Sequence, residues 1–564
     1  MYRPLLSACL MLCLMACQPI PTQTFDLLIA GGTVYDGTGG PAKVTDVWIN
    51  GDTIASIGKI SGANAQQTIQ AKGLAVSPGF INMLSWATES LIEDGKSQSG
   101  IRQGVTLEIM GEGNSMGPVT EERKLQWMKS QGDIKYDIKW NTLGEYLEYL
   151  EDKGVSTNVA SFIGAATPRV NVIGFENRAP SAEELHLMQE QVRVAMEEGA
   201  MGVASALIYT PGFFAKTDEL IALCEVVSAY EGMYISHLRS EGKNILTALD
   251  ELITIAKEAN IPAEVYHLKA AGKQNWGKLD TVIAKIDSAR KVGLRITTDM
   301  YTYTAGATGL DAAMPPWAQE GGLGKWISRI KDPSLRKRVA TEMRQEGEDW
   351  ENLYYAAGSA DKLLLVGFNN LDLKKYTGMT LAQVAEERGK SPEETAMDLV
   401  IEDQSRVGTV YFLMSEENIQ KKIGLPWMSF GSDAASLAPE GNFLKANPHP
   451  RAYGNFARLL GKYVREEQLI SLEEAIHKLS GMPATHLKLR KRGFLREGNY
   501  ADVVIFDPAT IQDHATFDDP HQYATGVMHV WVNGVQVLEE GEHTGATPGR
   551  VVRGPGWTGW SDKN

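Results

Sequence analysis

The sequence predicts an α/β protein whose largest part is a TIM-like (β/α)8 barrel, joined to a small β domain formed from both chain ends. Short apolar runs recur along the chain, and stretches of helical periodicity with capping signals, such as the one at Ser181, separate them. Two neighbouring runs end in His237 and His267, which are separated by about 30 residues, the length of one strand–helix–strand unit. Alternating apolar runs with Asn-Gly turns lie near both ends of the chain.

Eight apolar runs are predicted to form the strands of the barrel. Because helical patterns alternate with them, the strands should be parallel and should close into a ring. The predicted strands are Leu74–Asn82, Gly104–Gly111, Thr157–Gly164, Met201–Ser205, the two runs that end in His237 and His267, Leu294–Tyr301 and Trp427–Asp433.

The predicted barrel spans residues 77–489, and the small β domain combines residues 25–76 with 490–552. Hairpin turns are predicted at Asn50 and Asn533, each of which precedes a glycine between alternating runs. Residues from about 312 to 415 break the alternation of strand and helix, which indicates an insertion. Insertions at a barrel mouth often act as lids, so a lid is our hypothesis; a decoration packed elsewhere is the alternative.

The start of the chain has the features of an export signal. A short basic start precedes an apolar run from Leu5 to Met15, which is too short to span a bilayer. The following Ala16-Cys17 completes a segment that resembles the lipobox of bacterial lipoproteins. The resemblance implies a signal peptide of residues 1–16, a lipid on Cys17 and export to the cell envelope or periplasm. The polar residues up to residue 24 are interpreted as a tether, and Gln18, in place of an aspartate after the cysteine, favours outer-membrane sorting. An ordinary secretory signal is the alternative.

Composition limits the classes of partner. The chain has 564 residues and a net charge of −15, and its charged residues are spread along it. Nucleic acid is an unexpected partner, because phosphate binding needs a basic stripe. After removal of the signal and lipidation of Cys17, only Cys224 remains, in an apolar helical pattern typical of a core residue. Membrane contact is expected only through the lipid.

Three residues at predicted strand ends are candidate zinc ligands. A catalytic zinc site usually has three protein ligands and one open position for water. His237 and His267 would supply two ligands, because the C-terminal ends of neighbouring barrel strands face one site. Glu112 follows the second strand in a glycine-rich turn and is the candidate third ligand. The alternatives are core or surface histidines and a solvated loop glutamate. The site would make the protein a hydrolase.

Four further residues are assigned roles next to this site. Asp433 ends the last predicted strand, where it could take a proton from a metal-activated water and pass it to a leaving nitrogen; a helix-capping aspartate is the alternative. Lys269, Tyr301 and Arg451 could bind an anionic substrate, and Arg451 offers a planar fork suited to a carboxylate; the alternative for each is a surface or packing residue. His449 is expected to have a structural role.

These segments together resemble the D-aminoacylase (N-acyl-D-amino-acid deacylase) branch of the amidohydrolase superfamily, over about residues 25 to 552. The resemblance implies zinc at His237 and His267, the general base at Asp433, and amide hydrolysis of N-acyl-D-amino acids or D-residue dipeptides. It also implies that Lys269, Tyr301 and Arg451 bind the substrate carboxylate. The segments are Ser77-Pro-Gly-Phe-Ile, Ser236-His-Leu-Arg-Ser-Glu-Gly, His267-Leu-Lys-Ala-Ala-Gly, Asp299-Met-Tyr-Thr-Tyr-Thr-Ala-Gly, Gly431-Ser-Asp, His449-Pro-Arg-Ala-Tyr-Gly and Tyr500-Ala-Asp-Val-Val-Ile-Phe-Asp-Pro.

The sequence departs from the family pattern at several positions. The superfamily carries a His-x-His pair after the first strand, but this chain has Asn82 and Leu84 there. A single zinc ion is therefore predicted. The family's cysteine ligand falls on Gly113, beside Glu112, so the assignment of Glu112 is an inference from chemistry. A family histidine and a substrate-side serine fall on two alanines, Ala165 and Ala307.

Two other functions stay open at this point. One is a catalytically inactive barrel that only binds a ligand or partner, which the missing His-x-His pair suggests. The other is a cyclic-amide hydrolase of the hydantoinase or dihydroorotase kind, which usually needs two metals and a carboxylated lysine.

Overall fold

The computed structural model describes residues 23–560 of the chain. The predicted signal peptide, Cys17 and most of the predicted tether lie outside the described residues, and the first strand begins at Thr24. Among the residues that are described, no helix combines the length and apolar character needed to cross a bilayer.

Eight parallel strands form a closed barrel, as predicted. Backbone hydrogen bonds from Met83 N to Phe430 O (3.2 Å) and from Asp433 N to Leu84 O (2.8 Å) join the last strand to the first. The strands, named barrel strands one to eight, are Phe80–Asn82, Val105–Met110, Asn158–Ser161 with its continuation Ile163–Gly164, Gly202–Ala206, Met233–His237, Ala263–Val265, Ile296–Met300 and Met428–Phe430.

Helices surround the barrel and cover its strands. The helix Ala182–Glu197 begins at Ser181, whose side chain accepts the backbone N–H of Glu184 in a capping box. The helices outside the insertion are Ser90–Glu93, Gln98–Ile101, Glu121–Ser130, Leu143–Lys153, Ala166–Ile173, Ala182–Glu197, Thr217–Ala229, Ile245–Glu258, Leu279–Lys291, Glu416–Ile423, Arg451–Arg458, Leu472–Leu479 and Gly481–His486, with 3-10 turns at Gly212–Phe214, Lys273–Lys278 and Gly441–Lys445 and a π-helical stretch at Leu459–Glu466.

Two layers of apolar side chains hold the barrel together. One fills the interior of the ring and includes Ile81, Ile109, Phe162 and Ile235, which are contributed by different strands. The other lies between strands and helices and includes the buried Cys224. Because the interior is packed, a substrate can reach the strands only at the mouth, where their C-terminal ends meet.

The two chain ends share one mixed sheet of nine strands, which contains both parallel and antiparallel pairs. Ala75–Pro78 pairs antiparallel with Val503–Phe506 and thereby joins the ends. At the predicted hairpin, Asn533 has a φ of 50° and Gly534 a φ of 78°, as a tight turn with two left-handed residues requires. The strands are Thr24–Val34, Lys43–Asn50, Thr53–Ile57, Asn64–Gln70, Ala75–Pro78, Val503–Phe506, Val527–Val532, Val535–Glu539 and Glu542–His543.

The segment between barrel strands seven and eight forms a substructure with its own apolar core. It contains a three-stranded antiparallel sheet, and its residues Leu323, Trp326 and Arg406 line the cavity at the barrel mouth. Its strands are Ala305–Gly309, Leu363–Gly367 and Gly408–Phe412, and its helices are Pro316–Gln319, Leu323–Lys331, Pro333–Met343, Leu353–Ala357, Leu381–Arg388 and Pro392–Asp403, with 3-10 turns at Leu310–Ala313, Ala360–Lys362 and Leu371–Tyr376.

Candidate metal centre and active site

The three predicted metal ligands meet at the barrel mouth. His237 is the last residue of barrel strand five, His267 follows strand six and Glu112 follows strand two. Glu112 Oε1 lies 3.2 Å from His237 Nδ1 and 3.0 Å from His267 Nε2. All three side chains are buried, and their ligand atoms lie within 4.8 Å of one another. Within residues 23–560 this is the one such cluster found.

The chemistry of this cluster suits a divalent cation. Two imidazole nitrogens and one carboxylate oxygen are a ligand set of catalytic zinc. Burial alone would raise the pKa of Glu112, but hydrogen bonds and charge from His237 and His267 lower it, so the carboxylate is ionised. Burial and Lys269 oppose a positive charge on His267, yet Glu241 and Glu112 raise the pKa of His267 to about 10. The cluster thus stabilises positive charge, and its residues fit a metal ion.

Asp433 lies beside the cluster and has two partners. Its Oδ2 is 2.8 Å from Arg451 Nη1, and its Oδ1 accepts a hydrogen bond of 3.1 Å from Trp86 Nε1. Burial raises the pKa of Asp433, and the charges of Arg451 and His267 offset only part of this effect. A raised pKa suits a group that exchanges a proton near neutral pH.

Lys269, Tyr301 and Arg451 form a second cluster on the same side of the cavity. The Lys269 ammonium lies 5.7 Å and the Arg451 guanidinium 4.3 Å from the centre of the Tyr301 ring. The Tyr301 hydroxyl and Arg451 Nε are buried and have no hydrogen-bond partner among the described residues. These unpaired donors, next to two positive charges, are suited to an anionic group of a ligand.

Glu241 is a site residue that the sequence analysis did not assign. It accepts a hydrogen bond of 2.6 Å from Lys269 Nζ, and it lies 3.1 Å from His267 Nδ1 and 3.5 Å from His237 Nε2. Burial would raise the pKa of Glu241, but the charges of Lys269 and the two histidines lower it. Glu241 stands four residues after His237 in the segment Ser236-His-Leu-Arg-Ser-Glu-Gly, and this position was the signal that could have identified it.

Trp86 was also missed. It follows barrel strand one, and its indole N–H is shared between Asp433 and Glu112 Oε2, at 3.1 Å from each oxygen. Nothing in the local sequence around Trp86 distinguishes it from an ordinary loop residue.

His449 connects the backbone of Arg451 to that of Ala305 through hydrogen bonds. Its Nε2 donates to Ala305 O (2.9 Å), and its Nδ1 accepts the backbone N–H of Arg451 (3.0 Å). Burial and the charge of Arg451 lower the pKa of His449, so the ring is neutral. Its position matches the structural role expected for it.

The positions of the missing His-x-His pair are used differently in this chain. Asn82 Nδ2 donates to Glu108 Oε2 (2.7 Å) and to Ser432 Oγ (2.8 Å), and Asn82 Oδ1 accepts the backbone N–H of Ser432 (2.7 Å). Leu84 is fully buried. Neither side chain is therefore free to bind a metal ion.

The metal-ligand cluster, the second cluster and Asp433, together with Glu241, Trp86 and His449, border one cavity of about 640 Å³. This volume is within the range of small-molecule sites. The cavity has a charged side, formed by the two clusters and Asp433, and walls that also include apolar side chains from the barrel loops and the insertion: Phe175, Leu323, Trp326, Leu353 and Leu413.

Comparison with known proteins places the chain in a family. The model of the "Amidohydrolase family" matches residues 67–538. D-aminoacylase from Alcaligenes xylosoxydans xylosoxydans is 32% identical over 94% of this chain and 98% of its own length. N-acyl-D-aspartate deacylase from the same organism is 31% identical over 96% and 98%. The chain belongs to the amidohydrolase family, in the branch that includes D-aminoacylase and the N-acyl-D-amino-acid deacylases.

Two solved structures of this branch have the same fold. A D-aminoacylase structure concerned with a binuclear metal centre, one-metal activation and second-metal attenuation is 31% identical, covers 94% of this chain and all of the other, and has a TM-score of 0.78. N-acyl-D-glutamate deacylase from Bordetella bronchiseptica, solved with zinc and a phosphonate inhibitor that mimics the tetrahedral intermediate, is 28% identical with the same coverage and TM-score. These relatives and the buried Glu/His/His cluster support a metal cofactor.

Proposed function

We propose that this protein is a zinc-dependent hydrolase that cleaves the amide bond of N-acyl-D-amino acids or of dipeptides containing a D-residue. The observation that carries the proposal is the convergence of Glu112, His237 and His267 on one buried point beside Asp433. The names of the similar proteins support the substrate class and are the sole support for the preference for the D-isomer.

Glu112, His237 and His267 would hold the metal. When bound, zinc lowers the pKa of a coordinated water toward neutrality and polarises the amide carbonyl. Because Arg451 holds Asp433 Oδ2, the atom left to take the proton of the attacking water is Oδ1, on the side of Glu112. The same oxygen then delivers the proton to the departing nitrogen.

Lys269, Tyr301 and Arg451 would bind the substrate carboxylate. The buried Tyr301 hydroxyl and Arg451 Nε have no partner among the described residues, so a carboxylate can accept from both. Arg451 already pairs with Asp433, and a bound carboxylate would share this charge. Substrate binding would thus weaken the ion pair between Arg451 and Asp433 just before Asp433 acts as the base.

We propose one zinc ion per chain. The pairing of Asn82 with Glu108 and Ser432 and the apolar Leu84 support this number, since a second ion would find no imidazole after strand one. The D-aminoacylase relative has a binuclear centre, so the chain would differ from it in this respect.

Metal analysis combined with a hydrolysis screen tests the proposal. The protein is purified, supplied with zinc, freed of excess ion and assayed with N-acetyl-D- and N-acetyl-L-amino acids. We expect about one zinc per chain and turnover of D-substrates only. Absence of both zinc and turnover would favour an inactive binding protein. Turnover of cyclic amides without turnover of linear substrates would favour a hydantoinase-like enzyme.

We further propose that the chain is an exported lipoprotein of the cell envelope, anchored in the outer membrane through a lipid on Cys17. The support is the segment Leu14–Cys17 of the sequence. The test is mass spectrometry and membrane fractionation of the expressed protein and of Cys17→Ala. Lipid on Cys17, with release of the variant from the membrane, is the expected result. An unmodified Cys17 in a mature chain would contradict it.

A further inference from the structure

Trp86 occupies the space between the metal cluster and the proposed base. Its indole N–H is shared between Glu112 Oε2 and Asp433 Oδ1, with both distances 3.1 Å. Glu112 therefore uses its two oxygens on opposite sides, Oε1 toward the histidines and Oε2 toward Trp86. One N–H that serves two acceptors is a three-centre hydrogen bond, and here it connects two carboxylates of like charge.

The backbone fixes Trp86 in this position. Ser85 N donates to Ile109 O (2.8 Å) on barrel strand two, and Trp86 N donates to Ala434 O (3.0 Å) next to Asp433. The residue thus sits between the two chain segments that carry Glu112 and Asp433. Trp86 is 39% exposed, which is high for a tryptophan that packs in a hydrophobic core.

Two neighbouring carboxylate oxygens are a place where a divalent cation would bind if nothing else did. In this chain the indole N–H takes that place, and the side chains after strand one, Asn82 and Leu84, supply no further ligand. An N–H carries only a partial positive charge, but it is permanent and its position is fixed.

We propose that Trp86 is a positioning residue of the active site: its N–H orients Glu112 toward the metal and blocks a second cation from bridging Glu112 and Asp433. The inference rests on the proposed function only in requiring that Glu112 binds a metal. A group that orients a metal ligand typically contributes 10- to 100-fold to metal affinity. Removal of the N–H should therefore lower the affinity for the first ion and allow a second ion to bind.

The test is Trp86→Phe, which keeps an aromatic ring and removes the N–H. Zinc affinity is measured by competition with a chromophoric chelator, and zinc per chain by equilibrium dialysis over increasing free zinc. The matched control is Trp317→Phe, because Trp317 Nε1 also donates to a carboxylate, that of Glu342 (2.8 Å), in the insertion. Thermal melting of each variant checks that it is folded.

We expect wild type and Trp317→Phe to saturate at one zinc per chain, with no second ion even at the highest zinc concentration. For Trp86→Phe we expect affinity for the first ion to fall by about 10- to 100-fold, and a second ion to bind at high zinc. Unchanged affinity and stoichiometry in a folded Trp86→Phe would overturn the inference. If the wild type itself binds no zinc, the proposed function fails instead, so the two failures are distinguishable.

Discussion

The two halves of the barrel mouth differ in how their polar side chains are satisfied. On strands two, five and six, Glu112, His237 and His267 face one another across a gap and depend on each other. On strand one, by contrast, Asn82 is fully paired with Glu108 of the adjacent strand two and with Ser432, which follows strand eight. A buried polar atom that is already hydrogen-bonded to protein neighbours gains little from binding a metal ion. Ligand atoms that converge on one point gain much more from a metal ion between them. This difference is the basis of our proposal that the barrel binds one ion, in one half of its mouth.

The largest expected effect comes from breaking the metal-binding half with His237→Ala. The variant should lose its zinc and, because a catalytic zinc supplies several kcal/mol of transition-state stabilisation, about 10³-fold or more in kcat/KM. Metal analysis and initial rates measure both. His186→Ala, on the exposed side of the helix Ala182–Glu197, is the control and should change neither. A variant at His237 that keeps its zinc would show that the ligand assignment is wrong.

Asp433→Asn, in the other half of the barrel mouth, should also cause a large loss of turnover, because it removes the proton acceptor and leaves the metal ligands in place. The amide oxygen still accepts the Trp86 N–H, but it cannot take a proton, so turnover should fall by about 10²- to 10⁴-fold while zinc stays bound. Rate and zinc content are measured together. Asp280→Asn, at an exposed ion pair with Lys421, serves as the control. Near-normal turnover would remove Asp433 as the base.

The insertion provides a test that depends on pH. Glu351 accepts the backbone N–H of Gly242 (3.1 Å) and of Glu241, and burial together with the charge of Glu241 raises the pKa of Glu351 to about 7. A carboxyl whose pKa is higher in the folded state binds more protons there, so its contribution to stability is lost as pH rises from about 4.5 to about 7.

Glu351→Gln should abolish this dependence. From the shift in pKa, the wild type should lose up to about 3 kcal/mol of unfolding free energy relative to the variant between pH 4.5 and 7. Denaturant unfolding at a series of pH values measures the difference. Glu393→Gln, a buried glutamate of the insertion far along the chain from the site, is the control. A constant difference between wild type and Glu351→Gln across this range would contradict the expectation.

The smallest effect is expected from Tyr301→Phe, which tests whether the residues that bind the substrate are distinct from those that bind the metal. The hydroxyl has no partner among the described residues, so its loss should leave the melting temperature nearly unchanged. A hydrogen bond to a charged group contributes about 1.5–3 kcal/mol, so kcat/KM for an N-acetyl-D-amino acid should fall about 10- to 100-fold. The matched substrate is the corresponding C-terminal amide; equal losses for both substrates would exclude a carboxylate contact.

The sequence allowed prediction of the features that depend on local pattern. Apolar runs located all eight barrel strands, but the first run, Leu74–Asn82, was wrong in extent, because its part Ala75–Pro78 belongs to the nine-stranded sheet. The strand ends located His237, His267 and Asp433 at the mouth. Glu112 was identified from chemistry, because a glycine-rich turn after a strand leaves a carboxylate free to turn inward. These positions could be predicted because the direction of a barrel strand fixes where its C-terminal end lies. The roles assigned to the residues stay predictions.

Contacts between loops could not be predicted. The pairing of Arg451 with Asp433 and the shared N–H of Trp86 depend on where three loops converge, which no local pattern records. Lys269 was expected to face the substrate, yet its Nζ also donates to Glu241 and lies 2.7 Å from His267 Nδ1. The sheet of the insertion likewise depends on pairing between distant segments, Ala305–Gly309 with Gly408–Phe412.

Anomalous diffraction at the zinc edge, from crystals grown with excess zinc, tests the central claim most directly. We predict a single peak at the barrel mouth, about 2.0–2.1 Å from His237 Nδ1 and His267 Nε2 and about 2.0–2.2 Å from a Glu112 oxygen. A second peak between Glu112 and Asp433, or no peak beside the two histidines, would contradict it.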